Sequence, residues 1–168
     1  ASSADGTKLA AGAYNGLIYT STDSGANWTG RSGSGSRKWL GIASSEDGTK
    51  LAAAVETPGQ IYTSTDSGVS WTARGISGNW VAVASSANGE KLVALNKGLQ
   101  IYTSTDSGVN WTARATNRQW NSVASSSDGT KLVATVDGGL IYTSTDSGVT
   151  WTEQSNSVVA NWRSVASS

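Results

Sequence analysis

The stretch IYTSTDSG at Ile18–Gly25 is repeated without change at three further places in the chain. The other copies begin at Ile61, Ile101 and Ile141, so successive copies are 43, 40 and 40 residues apart. Each copy is followed by a tryptophan and a threonine, and then by a second tryptophan that leads into a short apolar stretch and the tripeptide Ala-Ser-Ser. The chain is therefore built from one unit of about 40 residues, which indicates a repeat architecture.

The repeating unit has the pattern of short strands. Four segments rich in Val, Ile, Thr, Tyr and Trp alternate with turns that contain aspartate and glycine. In the fourth unit the predicted strands are Trp120–Ser125, Lys131–Val136, Leu140–Thr145 and Trp151–Gln154. This pattern excludes helical repeats of similar length, such as HEAT and armadillo units. Four strands in about 40 residues predict an all-β fold, a β-propeller of four-stranded antiparallel blades with four blades per chain.

Each octapeptide ends in a turn, Ser-Thr-Asp-Ser-Gly, that we call the STDSG turn; a tryptophan follows three residues after its glycine. This spacing resembles the Asp-box, or BNR repeat, S-x-D-x-G-x-x-W. The resemblance implies a hairpin between the third and fourth strands of each blade, in which the aspartate accepts turn N–H groups, the glycine takes a positive φ and the tryptophan packs over the turn. The residues concerned are Asp23, Gly25, Trp28, Asp66, Gly68, Trp71, Asp106, Gly108, Trp111, Asp146, Gly148 and Trp151.

The single propeller unit, residues 1–168, is expected to begin and end within a blade. Residues 1–29 supply the second, third and fourth strands of one blade and lack its first strand, whereas 162–168 read as a first strand with no blade after it. Complete blades are predicted at about 39–72, 80–112 and 120–152. The two incomplete pieces complement each other, so the last blade is expected to be closed by strands from both termini.

The sequence leaves two ways to close the ring. One chain could close on itself with four blades, which requires large side chains to fill the wedge between steeply turned neighbours. Two chains joined head to tail would form eight blades as a homodimer with closed symmetry. The chain is rich in Ala, Ser, Val and Thr, as at Ala52, Ala53 and Ala54, and small side chains favour the closer stacking of eight blades.

Composition excludes several classes of function. The chain contains no Cys or His, which excludes disulfides, thiol nucleophiles, the usual zinc sites and the commonest general base. Twelve Lys and Arg balance twelve Asp and Glu, so no field attracts nucleic acid or a membrane surface. No cofactor and no metal site is expected. A calcium ion takes 6–8 oxygen ligands, and each STDSG turn offers one carboxylate.

Variation among the repeats collects at one end of the predicted blades. The loops between the second and third strands differ (AYNG, ETPGQ, NKGLQ, DGG), and so do the loops that join blades. Variable loops on a rigid scaffold are where propellers carry ligands. The candidate binding face comprises Tyr14, Arg37, Glu56, Lys97, Arg118 and Asp137. The alternative interpretation is that these are solvated loop residues without a ligand.

These observations favour a non-enzymatic, self-assembling scaffold, either an excised or an engineered half of an eight-bladed propeller. The alternative is a module that binds a glycan or a protein through the variable loops. Asp-box propellers also include sialidases, which use an arginine cluster, a Tyr–Glu nucleophile pair and an acidic proton donor. Four of the five tyrosines here are repeat positions and only Tyr14 remains, so glycosidase activity is not expected.

Overall fold

The computed structural model describes residues 1–167, which form four antiparallel β-sheets, or blades, in chain order. Blade 1 and its loop contain β1 (Leu9–Gly12), β2 (Tyr14–Gly16), β3 (Ile18–Ser21) and β4 (Thr29–Arg31). Blade 2 contains β5 (Arg37–Ser44), β6 (Leu51–Val55), β7 (Gly59–Ser64) and β8 (Thr72–Gly78). Blade 3 contains β9 (Trp80–Ser85), β10 (Leu92–Asn96), β11 (Ile101–Ser104) and β12 (Thr112–Arg114). Blade 4 contains β13 (Trp120–Ser125), β14 (Leu132–Gly139), β15 (Ile141–Ser144) and β16 (Thr152–Gln154), followed by β17 (Ala160–Asn161). The prediction of an all-β fold with four antiparallel sheets is confirmed.

The strands of each complete blade follow one another as hairpins, and the first strands of neighbouring blades adjoin. Blade 2 has the order β5-β6-β7-β8, and blades 3 and 4 repeat it. Strand β5 lies beside β9, and β9 lies beside β13. Blade 1 has the order β1-β3-β4, so a first strand of comparable length is missing there. Ala1 and Ser2 occupy the end of that position, because Ala10 N–H donates to Ala1 O and Ser2 forms a bridge to Leu9.

Two loops that the sequence analysis interpreted as turns contain strand pairing to the following segment of chain. The AYNG loop forms β2, which pairs with the start of β5 in blade 2. The DGG loop is part of β14, whose end pairs with β17. The physical reason is that backbone groups beyond the hairpin find hydrogen-bond partners in the chain that precedes the next tryptophan.

The apolar core lies between the blades. One cluster joins blades 3 and 4 around Leu95 and Trp120, and a second joins blades 2 and 3 around Ile61 and Trp80. A third joins blades 1 and 2 through Ile18 and Trp39. Burial between sheets is the main stabilising term in this architecture, so each blade depends on its neighbours.

The predicted closing strand Trp162–Ser168 is not a strand in the described chain. Residues 162–167 lie beside β13: Asn121 Nδ2 donates to Trp162 O at 2.6 Å, and Val165 N–H donates to Ser122 Oγ at 3.1 Å. Ser168 lies outside the described residues. None of the strands described pairs blade 4 or this segment with blade 1, so closure of the ring stays a prediction.

Candidate functional site

The variable loops project from one end of the blades, which we call the loop face. Glu56, Lys97 and Asp137 occupy equivalent positions there, each five residues after the leucine that begins the second strand of its blade. We call the tryptophan in the first strand of each complete blade the inner-strand tryptophan (Trp39, Trp80 and Trp120). The backbone N–H of each loop residue donates to the carbonyl of the residue before this tryptophan: Lys38 O at 3.0 Å, Asn79 O at 2.9 Å and Gln119 O at 2.8 Å, respectively. Tyr14 follows β1 in the same position of blade 1.

Two of the six predicted face residues, Arg37 and Glu56, line a cleft between blades 1 and 2, and a third, Tyr14, contacts Glu56. Tyr14 Oη donates to Glu56 Oε2 at 2.7 Å, and Lys38 Nζ lies 3.9 Å from the same oxygen. The Arg37 guanidinium stacks on the ring of Tyr62, with 4.6 Å from Cζ to the ring centroid. The open cleft has a volume of about 660 Å³, and its walls include Asn15, Ser36, Pro58, Gln60 and Ser77.

The other three predicted residues lie near blades 3 and 4. Lys97 Nζ lies 3.8 Å from Asp137 Oδ2, and Arg118 Nη2 lies 3.9 Å from Glu153 Oε2. Arg118 also stacks on Tyr142, with 4.8 Å to the ring centroid. The predicted face is therefore two sites. Sequence reasoning missed Lys38, Tyr62 and Glu153; Glu153 could have been found, because alanine occupies the equivalent positions of blades 2 and 3.

Both tyrosines that contact a carboxylate keep their protons. The hydrogen bond to Glu56 raises the pKa of Tyr14 above its ordinary value. Burial raises the pKa of Tyr142, and its hydrogen bond to Glu153 raises it further. Each phenol therefore acts as a hydrogen-bond donor near neutral pH.

Each of the four STDSG turns forms the same set of hydrogen bonds around its serine and aspartate. The turns lie at the opposite end of the blades, which we call the turn face. In the turn of blade 3, Ser104 Oγ donates to Asp106 Oδ1 at 2.8 Å and accepts Gly108 N–H at 2.9 Å, and Asn110 N–H donates to Asp106 Oδ1 at 2.9 Å. The turn glycines have φ between 82° and 88°, and the serine before each has φ between 55° and 59°. Trp111 Nε1 donates to Gly108 O at 2.9 Å, which closes the turn.

These hydrogen bonds stabilise the ionised carboxylates. The side chain and backbone of Ser70 lower the pKa of Asp66 to about 2, and the residues at the same position lower the pKa of Asp23 and Asp146 to about 2. Asn110 lowers the pKa of Asp106 in the same way. A carboxyl group in an unfolded chain has a pKa near 3.9. The folded chain therefore binds fewer protons between these values, so its stability must fall as the pH falls.

We expect acid to destabilise the fold between about pH 4 and pH 2 through these turns. In Asp106→Ala the melting temperature should be lower at pH 7, by the equivalent of about 1 kcal/mol, and should depend less on pH below 4. Asp137→Asn is the matched control, because Asp137 closes no turn. Thermal unfolding by circular dichroism from pH 7 to pH 2 measures both effects. Identical acid profiles for Asp106→Ala and the parent would contradict this assignment.

The turn face also carries a depression of about 820 Å³ whose walls include Asp5, Glu46 and Asp47. Hydrogen bonds from Ser3 and Thr7 lower the pKa of Asp5 to about 2, and those from Ser45 and Thr49 lower the pKa of Asp47 well below its usual range. Carboxylates held ionised in this way are poor proton donors. Within residues 1–167, no three Asp or Glu side chains converge as metal ligands, and no helix has the length and apolar character needed to cross a membrane.

Comparison with solved structures identifies propellers as the similar folds. An ancestral GH74 enzyme superposes with a TM-score of 0.73 at 20% identity, over 93% of this chain and 25% of that one. The GH74 enzyme of Niastella koreensis gives 0.73 at 26% identity, over 92% and 24%. YCF48 bound to D1 peptide gives 0.68 at 20% identity, over 90% and 52%. No family model and no curated protein matches the chain. The chain spans about a quarter to a half of these structures, and the likeness establishes the propeller fold.

Proposed function

We propose that this chain is a non-enzymatic propeller scaffold that closes its ring with a second copy of itself, head to tail, to give eight blades. The observation that carries the proposal is the position of Trp162. It lies against blade 4 as the inner-strand tryptophan of a following blade would, and blade 1 lacks such a tryptophan. Each end of one copy therefore fits the other end of a second copy, and two such junctions form a closed assembly.

Trp162 repeats the indole hydrogen bond of Trp39. Trp39 Nε1 donates to Gly16 O at 3.0 Å after β2 has paired with the start of β5. Trp162 Nε1 donates to Gly139 O at 2.9 Å after β14 has paired with β17. These equivalent contacts support the assignment of the segment that begins at Trp162 as the first strand of a following blade.

Within residues 1–167 no aromatic ring packs against Trp162, and the rings equivalent to the partners of Trp39 are exposed on blade 1. In each complete blade the inner-strand tryptophan packs edge-on against a tyrosine and tilted against a second tryptophan, as Trp39 does with Tyr62 at 5.4 Å and Trp71 at 6.2 Å. The equivalent residues of blade 1, Tyr19 and Trp28, are 40% and 44% exposed. Trp162 of a second copy would complete this triad and bury apolar surface on both sides.

The turn face supports the same junction. Backbone hydrogen bonds run from blade to blade, from Ala4 N–H to Glu46 O, from Glu46 N–H to Ala87 O and from Ala87 N–H to Ser127 O, each at 2.7 Å. Continued across the junction, Ser127 N–H would donate to Ala4 O of the next copy. The same hydrogen bond, with the same length, joins each pair of neighbouring blades, so the junction would repeat an existing contact.

Glycines on the turn face give a second indication of what covers blade 1. A Cβ at Gly48 would lie 2.8 Å from Lys8, and one at Gly129 would lie 2.9 Å from Lys91, because the lysine of the preceding blade packs there. A Cβ at Gly6 would meet no atom within 4 Å. The half-buried lysines of blades 1, 2 and 3 contrast with Lys131 of blade 4, which is exposed. Lys131 of a second copy would cover Gly6.

The register of the junction follows from the complete blades. Ile42 pairs with Ala53 and Gly41 pairs with Ala54 in blade 2. The equivalent pairs are Val165 with Ala11 and Ser164 with Gly12 of the other copy. This strand cannot pair along all of Lys8–Gly12, because Ala10 already exchanges hydrogen bonds with Ala1. The first strand of the junction blade would therefore be formed by two chains: Ser164 and Val165 of one copy beside Gly12 and Ala11, and Ala1 and Ser2 of the other copy beside Ala10 and Leu9.

The carboxylates support a non-enzymatic role. Glycoside hydrolysis needs two carboxyl groups across one cleft, one of them protonated. Glu56 is the one carboxylate in the wall of the loop-face cleft, as far as residues 1–167 define it, and it accepts the hydrogen bond of Tyr14. We therefore expect no hydrolysis of a fluorogenic sialoside, and its turnover would contradict this part of the proposal.

Light scattering coupled to size exclusion tests the assembly directly. We expect a particle of twice the chain mass of 17.2 kDa. A fused tandem of two copies should give a monomer of that same doubled mass and higher melting temperature, because fusion makes one junction intramolecular. A 17.2 kDa particle that persists at high protein concentration would contradict the head-to-tail dimer.

A second candidate function is binding of a protein or glycan at the loop face. The observation that favours it is the cleft that Arg37, Lys38 and Glu56 line. One solved structure with the same fold, YCF48, is a complex with a peptide. This function and the dimer are compatible, because the cleft lies between blades 1 and 2, within one chain.

A further inference from the structure

We propose that the loop-face cleft binds a carboxylate group of a peptide, held by the Arg37 guanidinium. This inference rests on the second candidate function, binding at the loop face, and it does not depend on closure of the ring. It assigns both the residue that makes the main contact and the chemical class of the ligand.

The chain itself contains a completed version of this site in blade 4. Arg37 and Arg118 each lie two residues before an inner-strand tryptophan, and each stacks on the tyrosine of its own blade, at 4.6 Å from Tyr62 and 4.8 Å from Tyr142. In blade 4, Glu153 faces the guanidinium at 3.9 Å. Glu153 pairs with Tyr142 across the sheet, as Ala73 pairs with Tyr62 in blade 2. Blade 2 thus has the arginine and the aromatic platform, with alanine in place of the carboxylate.

Arg37 lacks the hydroxyl partner that the arginines of β4, β8 and β12 have. The Nε atoms of Arg31, Arg74 and Arg114 donate to threonine hydroxyls at 2.6 to 3.2 Å. Arg37 Nε is buried and has no acceptor, and no carboxylate in residues 1–167 lies within 4.0 Å of its guanidinium nitrogens. A half-buried cation without a counter-ion is unfavourable, and a carboxylate matches the paired N–H groups of guanidinium.

The walls of the cleft restrict the ligand further. Lys38 forms an ion pair with Glu56. Arg37 is therefore the cation of the cleft that has no carboxylate partner within residues 1–167. With Lys38 and Glu56 offsetting each other, Arg37 leaves the cleft one net positive charge, which one carboxylate neutralises and a phosphate or a polyanion would exceed. Pro58 and the Tyr62 ring offer apolar surface beside polar Gln60 and Ser77, a mixture suited to an extended peptide segment.

Nuclear magnetic resonance of the intact ¹⁵N-labelled protein tests the inference at the Arg37 Nε–H signal. The probes are N-acetylglutamate α-amide for a peptide carboxylate, glucuronate for a sugar carboxylate, and N-acetylglutamine amide as the neutral control. We expect the peptide carboxylate to shift the Arg37 signal saturably, with a smaller effect of glucuronate and none of the neutral amide. Stronger binding of glucuronate would overturn the peptide assignment.

Two substitutions give opposite results that a structural effect alone would not produce. Ala73→Glu places the blade 4 carboxylate beside Arg37, and it should abolish binding while Arg37 remains. Glu153→Ala removes the carboxylate from Arg118, and the Arg118 signal should then respond to the same probe. Retained binding in Ala73→Glu would overturn the inference. Shifts confined to Lys97 and Asp137 would also overturn it, although binding at the loop face would then stand.

Discussion

The Trp162→Ala variant is expected to be a folded monomer at concentrations where the parent chain is a dimer. Trp162 would contribute the largest apolar surface at each junction, and both junctions lose it in one substitution. Truncation of a large aromatic side chain in a buried contact costs about 3–5 kcal/mol. Two such losses lower the association constant by several orders of magnitude. Light scattering should report 17.2 kDa for the variant and twice that mass for the parent.

A second substitution separates loss of contact from loss of fold. Thr20, Thr63 and Thr103 are buried because the turn glycine of the following blade packs on them: a Cβ at Gly68 would lie 2.9 Å from Thr20 Cγ2. Thr143, the equivalent residue of blade 4, is only half-buried. Thr143→Arg should therefore block the junction sterically and leave the single chain folded. If Trp162→Ala and Thr143→Arg both retain the doubled mass, the head-to-tail junction is wrong.

The repeated positions explain how much of the fold could be predicted from the sequence. The spacing of the octapeptides and of the two tryptophan series defined four units, because hairpin turns and cross-strand pairs are local and recur in register. The strands β2 and β17 could not be predicted in this way. They depend on pairing between a loop and the next segment of chain, and the sequences Tyr-Asn-Gly and Asp-Gly-Gly have the composition of turns.

The candidate site was predictable in part. Tyr14 and Glu56 were selected as variable loop residues, and their equivalent positions in adjacent blades account for their contact. Tyr62 was interpreted as part of the repeated framework, and a repeated residue does not show from sequence which of its copies faces a cleft. Arg37 and Arg118 were selected together, yet only the difference between Ala73 and Glu153 distinguishes them. That difference is visible in the aligned repeats, and its meaning required the register of the strands.

The largest expected loss of stability within a single chain is that of Trp120→Ala. The Trp120 side chain is 0% exposed in the cluster between blades 3 and 4, with Tyr142 at 5.1 Å and Trp151 at 6.3 Å between ring centroids. Its Nε1 donates to Thr116 O at 3.3 Å. Removal of this side chain should cost about 3–5 kcal/mol, because the surrounding strands cannot collapse into the cavity. In a domain of this size that corresponds to a fall of roughly 10 °C or more in melting temperature.

Trp28→Ala supplies the matched comparison, and it connects chain stability with assembly. Trp28 is 44% exposed in the single chain, whereas the equivalent Trp71, Trp111 and Trp151 are more buried against an inner-strand tryptophan. In the monomeric Thr143→Arg background, Trp28→Ala should therefore lower the melting temperature far less than Trp120→Ala does. In the dimeric parent its effect should grow, because Trp162 of the second copy would pack on Trp28. An equal effect of Trp28→Ala in both backgrounds, measured by thermal unfolding at one protein concentration, would show that Trp28 takes no part in the junction.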